Sequence, residues 1–284
     1  MARIQNDKDG TILAFMVIVH ALALWGLLSP GWNASRLAVA IAVYVVAGIG
    51  TTVGLHRLIC HRSFRCPLWV EHALVTAAMI TGQGSPLLWA ATHRRHHARS
   101  DKVGDPHTPK DSFWYGHIGW IWHRSSSTPD EWRRWCKDLA QDRYYHFLLR
   151  GRLVPHLAVA AVIGLTLGWQ ALPSCLYLPM VLWMHATYSV NSFGHSAAWG
   201  QAPFATGEGS RNVAWVGWAA LGEGWHNNHH AFPASARHGL LAGQVDASWL
   251  VISALVALGL ASDAKLPDPG RLAASRRDRH QGTR

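Results

Sequence analysis

Four long stretches of this chain carry no Asp, Glu, Lys or Arg: Ile12–Leu28, Leu37–Leu55, Leu153–Leu172 and Cys175–Val190. No other feature constrains the fold as much. A helix that crosses a bilayer needs roughly 20 mostly apolar residues, and about 17 suffice where the bilayer is thin. The stretches read as four membrane spans, at about 12–29, 37–55, 153–172 and 175–193. The competing reading is a large soluble protein with long buried helices. Four uncharged runs in a chain with 16 Trp, a residue that favours membrane interfaces, argue for lipid instead. The lead-in MARIQNDKDG holds two Asp, and no small-residue cleavage site follows the first stretch. That stretch is therefore expected to stay as a membrane helix rather than leave as a signal peptide.

Charge orients the spans. The net charge is +10, and residues 55–152 alone hold fifteen Lys and Arg. The connection Ser29–Arg36 has only Arg36, and Gly168–Cys175 has none. Basic loops stay on the cytoplasmic side. Both termini and the long middle segment are thus expected in the cytoplasm, in a bacterial-type inner membrane. The expected architecture is an all-α integral membrane protein in one domain, residues 1–284. Four transmembrane helices carry a cytoplasmic helical cap, 56–152 and 194–267. A disordered basic tail, 268–284, would end the chain and could touch anionic headgroups. In this arrangement the basic charge serves topology, and no nucleic-acid partner is expected. Cys60, Cys66, Cys136 and Cys175 form no CxxC pair, and three lie in the segment placed in the cytoplasm, where disulfides are rare.

The chain has 19 histidines, and their grouping carries the chemistry. HRLICH (56–61), HRRHH (93–97) and HNNHH (226–230) all fall just beyond apolar segments, on the side assigned to the cytoplasm. On a helix, positions i and i+4 lie one turn apart on one face. His93 and His97 can therefore share an ion, and so can His226 and His230. Position i+3 falls about 60° to the side, so His96 and His229 point at a neighbouring site. Two facing HxxHH elements would build two adjacent metal sites. His56 and His61, at i and i+5, converge only where the helix ends or loosens. Eight imidazoles exceed what one ion takes, and imidazole suits Zn, Cu, Fe and Ni alike. Two metals in a histidine shell at a membrane surface suit oxygen activation on an apolar substrate. His20, His72, His117, His123, His146, His156, His185, His238 and His280 stand apart and read as hydrogen-bonded core or surface residues.

These residues resemble a known family. HRLICH, HRRHH and HNNHH are similar to the three histidine boxes of membrane fatty-acid desaturases of the Δ9 (stearoyl) type, in their bacterial and plastid-like form. GLHRL (54–58), HRSF (61–64), DPH (105–107), FWYGHIGW (113–120), VNS (190–192), GEGWH (222–226), SARHG (235–239) and KLP (265–267) extend the likeness over about residues 12–267. The resemblance implies a ninth histidine from NSFGH, His195. It implies one iron held by His56, His61, His93, His97 and His229. The other would be held by His96, His195, His226 and His230, with Asn191 acting through a water. It also implies a bent acyl tunnel lined by Gln83, Trp89, Thr187 and Tyr188. Ala47, Gly48, Gly50, Thr51 and Thr52 either make room for the chain or serve close helix packing.

The activity that the resemblance implies is O2-dependent insertion of a cis double bond, at Δ9, into a saturated acyl chain. The resemblance likewise implies two iron ions as cofactors, O2 as co-substrate, and the di-iron centre itself as the catalytic group. Glu223 and Asp105 read as acceptors that orient ligand imidazoles, with His107 in a like role. Animal acyl-CoA desaturases carry a polar residue after the tunnel Gln and an Arg two before the second box; here these are Gly84 and Ala91. That brings an acyl lipid or acyl-carrier-protein ester level with acyl-CoA as the carrier. No His-Pro-Gly-Gly segment of the cytochrome-b5 type is present. Electrons are thus expected from a separate ferredoxin, rubredoxin or cytochrome-b5-type donor with a reductase, and membrane lipids are the remaining partner. Two other readings stand beside this one. A fatty acyl or alkane hydroxylase would use the same site. A histidine-rich metal transporter would line its path with mid-span histidines, and only His20, His156 and His185 are so placed.

Overall fold

The structure is a computed structural model and describes residues 8–123 and 130–276. Helix α1 (Gly10–Leu28) starts where the Asp9 carboxylate accepts the Thr11 and Ile12 backbone N–H groups. Helix α2 (Ala34–Ile49) starts on the Asn33 side chain, which accepts from Arg36 N. Both caps satisfy donors that a helix start leaves open. α2 runs without a break into a π-helix, Gly50–Cys60, so one helical rod spans Ala34–Cys60. α1 and this rod have mean hydropathies of 2.3 and 2.1 and are long and apolar enough to cross a membrane. Val17, Ile18, Leu24 and Leu27 of α1, and Ile41 of α2, are exposed, as a lipid-facing surface requires.

The later pair of expected spans is less regular. α7 (Arg143–Arg150) and α8 (Val154–Leu167) bend by 65° at their junction, and together they are long and apolar enough to count as one broken span. α8 stops at Gly168, whose φ of +82 breaks the helix. A 3-10 turn (Trp169–Ala171), a π-turn (Pro173–Tyr177) and α9 (Leu178–Ser192) follow. α9 packs between α1 and α2, with Met180, Trp183 and Met184 fully buried. Its last turns carry Thr187, Tyr188, Asn191 and Ser192. Protein rather than lipid surrounds much of α9, so polar residues are tolerated and its composition is not that of a lipid-facing helix.

The remaining described elements are short helices: α3 (Leu68–Ala78), α4 (Pro86–Arg99), α5 (Phe113–His117), α6 (Glu131–Trp135), α10 (Ala214–Ala219), α11 (His226–Ala231), α12 (Ala247–Ala257) and α13 (Pro269–Ala274). Among the described residues there is no strand, only isolated bridges. α3 packs along the π-helix. A Cβ on Gly50 would lie 2.2 Å from Ala78 N, so only glycine permits that approach. Thr51 bonds Ala47 O at 2.9 Å and accepts from the Trp183 indole at 3.1 Å. The small-residue run in the second span is therefore filled by packed protein. Beneath the site, Val53, Leu58 and Ile59 of the π-helix meet Val75, Leu87, Ala90, Tyr145 and Leu148 in one core.

The expectation of an irregular tail from residue 268 is corrected at its start. Asp268 accepts from Arg271 N, and Pro269 fits the first turn, so α13 forms. The rest of that tail, 277–284 with His280, lies outside the described residues. Most histidines that stand apart in sequence are hydrogen-bonded inside the protein. His20, His185 and His117 form a row, linked at 3.0 Å and 3.0 Å and closed by Ser192 at 2.9 Å. His72 bonds Asp142 at 2.6 Å, and His146 and His156 bond carbonyl oxygens at 2.8 Å.

Candidate metal centre

The first histidine box sits on the π-helix, and this explains its spacing. A π-helix bonds i to i+5; the His61 N–H donates to His56 O at 3.2 Å. Residues five apart then share a face, and the rings of His56 and His61 lie 4.9 Å apart. α4 carries His93, His96 and His97, and α11 carries His226, His229 and His230. His195 follows α9 by one turn of chain. Gly224, just before α11, approaches α10 closely: a Cβ on it would lie 2.1 Å from Gly217 N.

Two groups of ring nitrogens result, and within each all the ligand atoms lie within 4.8 Å of one another. The first joins His56, His61, His93, His97 and His229. The second joins His96, His195, His226 and His230. In the first, Nε2 of His61 is 2.8 Å from that of His93, and Nε2 of His229 is 2.9 Å from His97 and 3.1 Å from His56. In the second, Nε2 of His226 is 2.9 Å from His195 and 3.1 Å from His230. Imidazole nitrogens about 2.1 Å from a shared ion and at right angles would be about 3.0 Å apart. His97 and His230 stack at 4.6 Å, so the two cages adjoin.

Carboxylates on the outer nitrogens set which way the rings face. Nδ1 of His56 donates to Glu223 Oε2. Nδ1 of His96 donates to Asp105 Oδ1 at 3.0 Å, and its Nε2 is buried with no protein partner. Nδ1 of His195 donates to Asp101 at 3.2 Å and lies 3.3 Å from Glu208. A proton held on Nδ1 leaves Nε2 as a lone pair aimed into the cage. Several lone pairs converging in a dry site need a cation, and a transition-metal ion fits both the donor set and the spacing.

The electrostatics agree. Burial pulls the His61 imidazole down to about 3 and holds His93, His97, His226, His229 and His230 well below the ordinary range, in the neutral form that binds metal. His195 differs. Burial lowers it, but its N–H bonds to the Asp101 and Glu208 carboxylates outweigh that and lift it to about 9. Burial raises Asp105, yet His96 beside it holds the carboxyl well below the usual range. Burial pushes Glu223 up to about 7, against the pull of Arg57. The smaller cage is thus ringed by three carboxylates, Asp101, Asp105 and Glu208. The larger one has Glu223, shared with a guanidinium.

Several residues at this site escape a reading by spacing. Arg57 is fully buried and bonds Glu223, Asp246 and the Ala236 carbonyl. Asn227 and Asn228 point away from the two cages and are fully buried. Both their backbone N–H groups donate to Asn212 Oδ1, and their side chains bond Phe204, His238 O and Gln244. They pin the start of α11. His238, apart in sequence, lies against His229 at 4.5 Å. Of the residues expected along the acyl chain, Gln83 donates to Thr187 at 3.4 Å. Trp89 stacks on His93 at 5.2 Å, and Tyr188 is buried beside Trp120. Asn191 stands in the last turn of α9, half-buried, four residues before His195. Asp105 also accepts from the backbone of His107, whose ring lies 4.3 Å from His96.

All-helical among the described residues, with two membrane-length apolar helices and two adjoining histidine cages that could hold metal, the fold is that of a histidine-box membrane protein. The family model for fatty acid desaturases matches residues 30–244, and this chain belongs to that family. It is 38% identical over 255 residues to the sn-1 stearoyl-lipid 9-desaturase of Anabaena variabilis, covering 89% of this chain and 93% of the relative. It is 38% identical over 252 residues to Delta-9 acyl-lipid desaturase 1 of Arabidopsis thaliana, covering 88% and 81%. It is 34% identical over 264 residues to the icosanoyl-CoA 5-desaturase of Limnanthes douglasii, covering 92% and 74%. The protein is an oxidoreductase that desaturates fatty acyl chains.

Proposed function

We propose that this chain is a di-iron Δ9 desaturase acting on saturated acyl chains carried by membrane lipids. One observation carries the reading: two adjoining cages of five and four imidazoles, with the outer nitrogens of three ligands held by carboxylates, in a chain of this family. The acyl-lipid carrier is supported by two relatives of that printed activity and by Gly84 and Ala91 at the positions where animal acyl-CoA desaturases carry polar residues.

His56, His61, His93, His97 and His229 would hold one iron. His96, His195, His226 and His230 would hold the other, with Asn191 reaching it through a water. When bound, the irons supply the oxidising chemistry, with O2, that no side chain here can provide. The protein's own part is to hold, orient and dry the site. Glu223, Asp105, Asp101 and Glu208 fix ring orientation. Trp89, against His93 and His56, walls the larger cage with apolar surface. Gln83 and Thr187 hold each other across the proposed bend, and Tyr188 closes its side, which fixes the carbons that come near the metals.

We place four spans in the bilayer, α1, the α2 rod as far as Leu55, α8 and α9, with the histidine cap from His56 and both termini on the cytoplasmic side of a bacterial-type inner membrane. The fifteen Lys and Arg of residues 55–152 support that orientation. A separate donor of the ferredoxin, rubredoxin or cytochrome-b5 type delivers the electrons. Gas chromatography of fatty acids from a host expressing this chain, beside a His229→Ala variant, tests the reading. A new alkene with its bond between C9 and C10, absent in the variant, is the expected result. No new alkene, or one undiminished in the variant, overturns it. An oxygenated chain without the alkene points to hydroxylation.

A further inference from the structure

His238 lies outside the three boxes, yet it is buried to 1% exposure beside the larger cage. Its ring lies 4.5 Å from His229, tilted by 38°, and meets His56 edge-on at 5.3 Å. Both its ring nitrogens are buried without a hydrogen-bond partner. Its Nδ1 faces Glu223 Oε1 at 3.6 Å, on the carboxylate whose other oxygen holds His56. The smaller cage repeats the arrangement. His107 is buried, its ring lies 4.3 Å from His96, and its unpartnered Nδ1 faces Asp105 Oδ1 at 3.9 Å. Asp105 Oδ1 holds His96. His56, Glu223 and His238 form one close triad of ligand-type atoms, and His96, Asp105 and His107 form another.

A buried polar group without a partner is costly. An apolar side chain would fill either position more cheaply, so the imidazoles are there for their nitrogens. The separations of 3.6 and 3.9 Å lie just beyond a direct bond. A closure of about 0.4 Å for His238 and about 0.7 Å for His107, or one bridging water, completes each link. His238 is also placed from both sides. Its backbone N–H donates to Asp246 Oδ2 at 2.6 Å, and its carbonyl accepts from Asn228 of α11 at 2.7 Å.

We propose that His238 and His107 are matched positioning residues, each completing a ligand–carboxylate–histidine triad that serves one cage only. His238 acts through Glu223 and His56 on the five-histidine cage. His107 acts through Asp105 and His96 on the four-histidine cage. The inference rests on the two-metal reading but not on iron or on the desaturase activity.

Titration of the metal-free full chain with Co2+, read by visible absorption, tests it. The unsubstituted protein takes up two equivalents; uptake of fewer refutes the two-metal reading itself. With the four-histidine cage disabled by His230→Ala, His238→Leu weakens the remaining site about 10–100-fold, and His107→Leu leaves it unchanged. With His61→Ala disabling the other cage, the dependence reverses. His238→Asn and His107→Asn, which keep a polar side chain, give the same pattern at smaller amplitude and guard against loss of fold. Equal effects of His238 in both backgrounds, or none in either, overturn the proposal.

Discussion

Arg57→Met removes the cation at the centre of the larger cage's support. The guanidinium is fully buried. One of its nitrogens lies 3.0 Å from Glu223 Oε1 and 2.9 Å from Asp246 Oδ1; the other lies 3.2 Å from Asp246 Oδ2 and 2.9 Å from Ala236 O. Methionine fills much of the volume and leaves two buried carboxylates facing each other. Breaking a buried pair from one side costs about 3–5 kcal/mol, a large part of a total stability on the order of 5–15 kcal/mol. At roughly 2–4 °C per kcal/mol for a chain near this size, the melting temperature falls by about 6–20 °C. Thermal unfolding of purified protein in detergent measures this. Arg57→Lys does not rescue, because one ammonium cannot reach four acceptors in a plane. Asp246→Asn in the Arg57→Met background recovers part of the loss, since it removes one stranded charge. The recovery is partial because Asp246 also accepts from the backbone of His238, Gly239 and Trp249. A coupling of about 1–3 kcal/mol is the expected cycle. A melting temperature within about 2 °C of the parent, or fully additive losses, refutes the reasoning.

Other outcomes follow from the same geometry. Asp101→Asn and Glu208→Gln each loosen the His195 ring, and bound metal per chain falls at the four-histidine cage. Because the two carboxylates share one N–H, the double variant loses less than the sum, on a total scale of about 10–100-fold. Gly224→Ala forces a Cβ into Gly217 N and lowers folded yield, measured by size-exclusion chromatography; an overpacked core costs about 1–3 kcal/mol or more. The metal-free protein responds to pH in opposite senses at its two kinds of histidine. His61, lowered to about 3 by burial, contributes stability that is complete above the unfolded value near 6.5 and is lost as pH falls toward 3. His195, raised to about 9, contributes stability that is complete below about 6.5 and is lost as pH rises through 9. Denaturation midpoints measured from pH 4 to 10 therefore peak between the two windows; a midpoint that rises steadily toward acid contradicts the neutral cage.

What could be read from the chain was whatever helical periodicity projects onto one face. His93 with His97, and His226 with His230, need only one turn of helix to meet, and they do meet in the structure's two groups. The i, i+5 pair of His56 and His61 required that the second apolar rod end or loosen there; the structure has a π-helix, Gly50–Cys60, at that place. The uncharged runs marked α1 and the α2 rod because lipid imposes composition directly. They marked α8 and α9 less well, because α9 is sheathed by protein and a protein neighbour accepts polar groups that lipid refuses.

The sequence by itself determined which residue types can bind metal, how they are spaced along each helix, and where along the chain two apolar rods lie, though not that the second runs on to Cys60. These are local properties, set by 3.6-residue periodicity, capping and solvent preference. Only the tertiary structure decided how the carboxylates are shared among the rings, why Arg57 is buried, what the two Asn of HNNHH hold, and that His238 belongs beside the cage. Those pairings range from Asn228 with His238, 10 residues apart, to Arg57 with Asp246, 189 residues apart. A buried charge or imidazole is defined by the partner that compensates it, and the chain's local pattern does not name that partner.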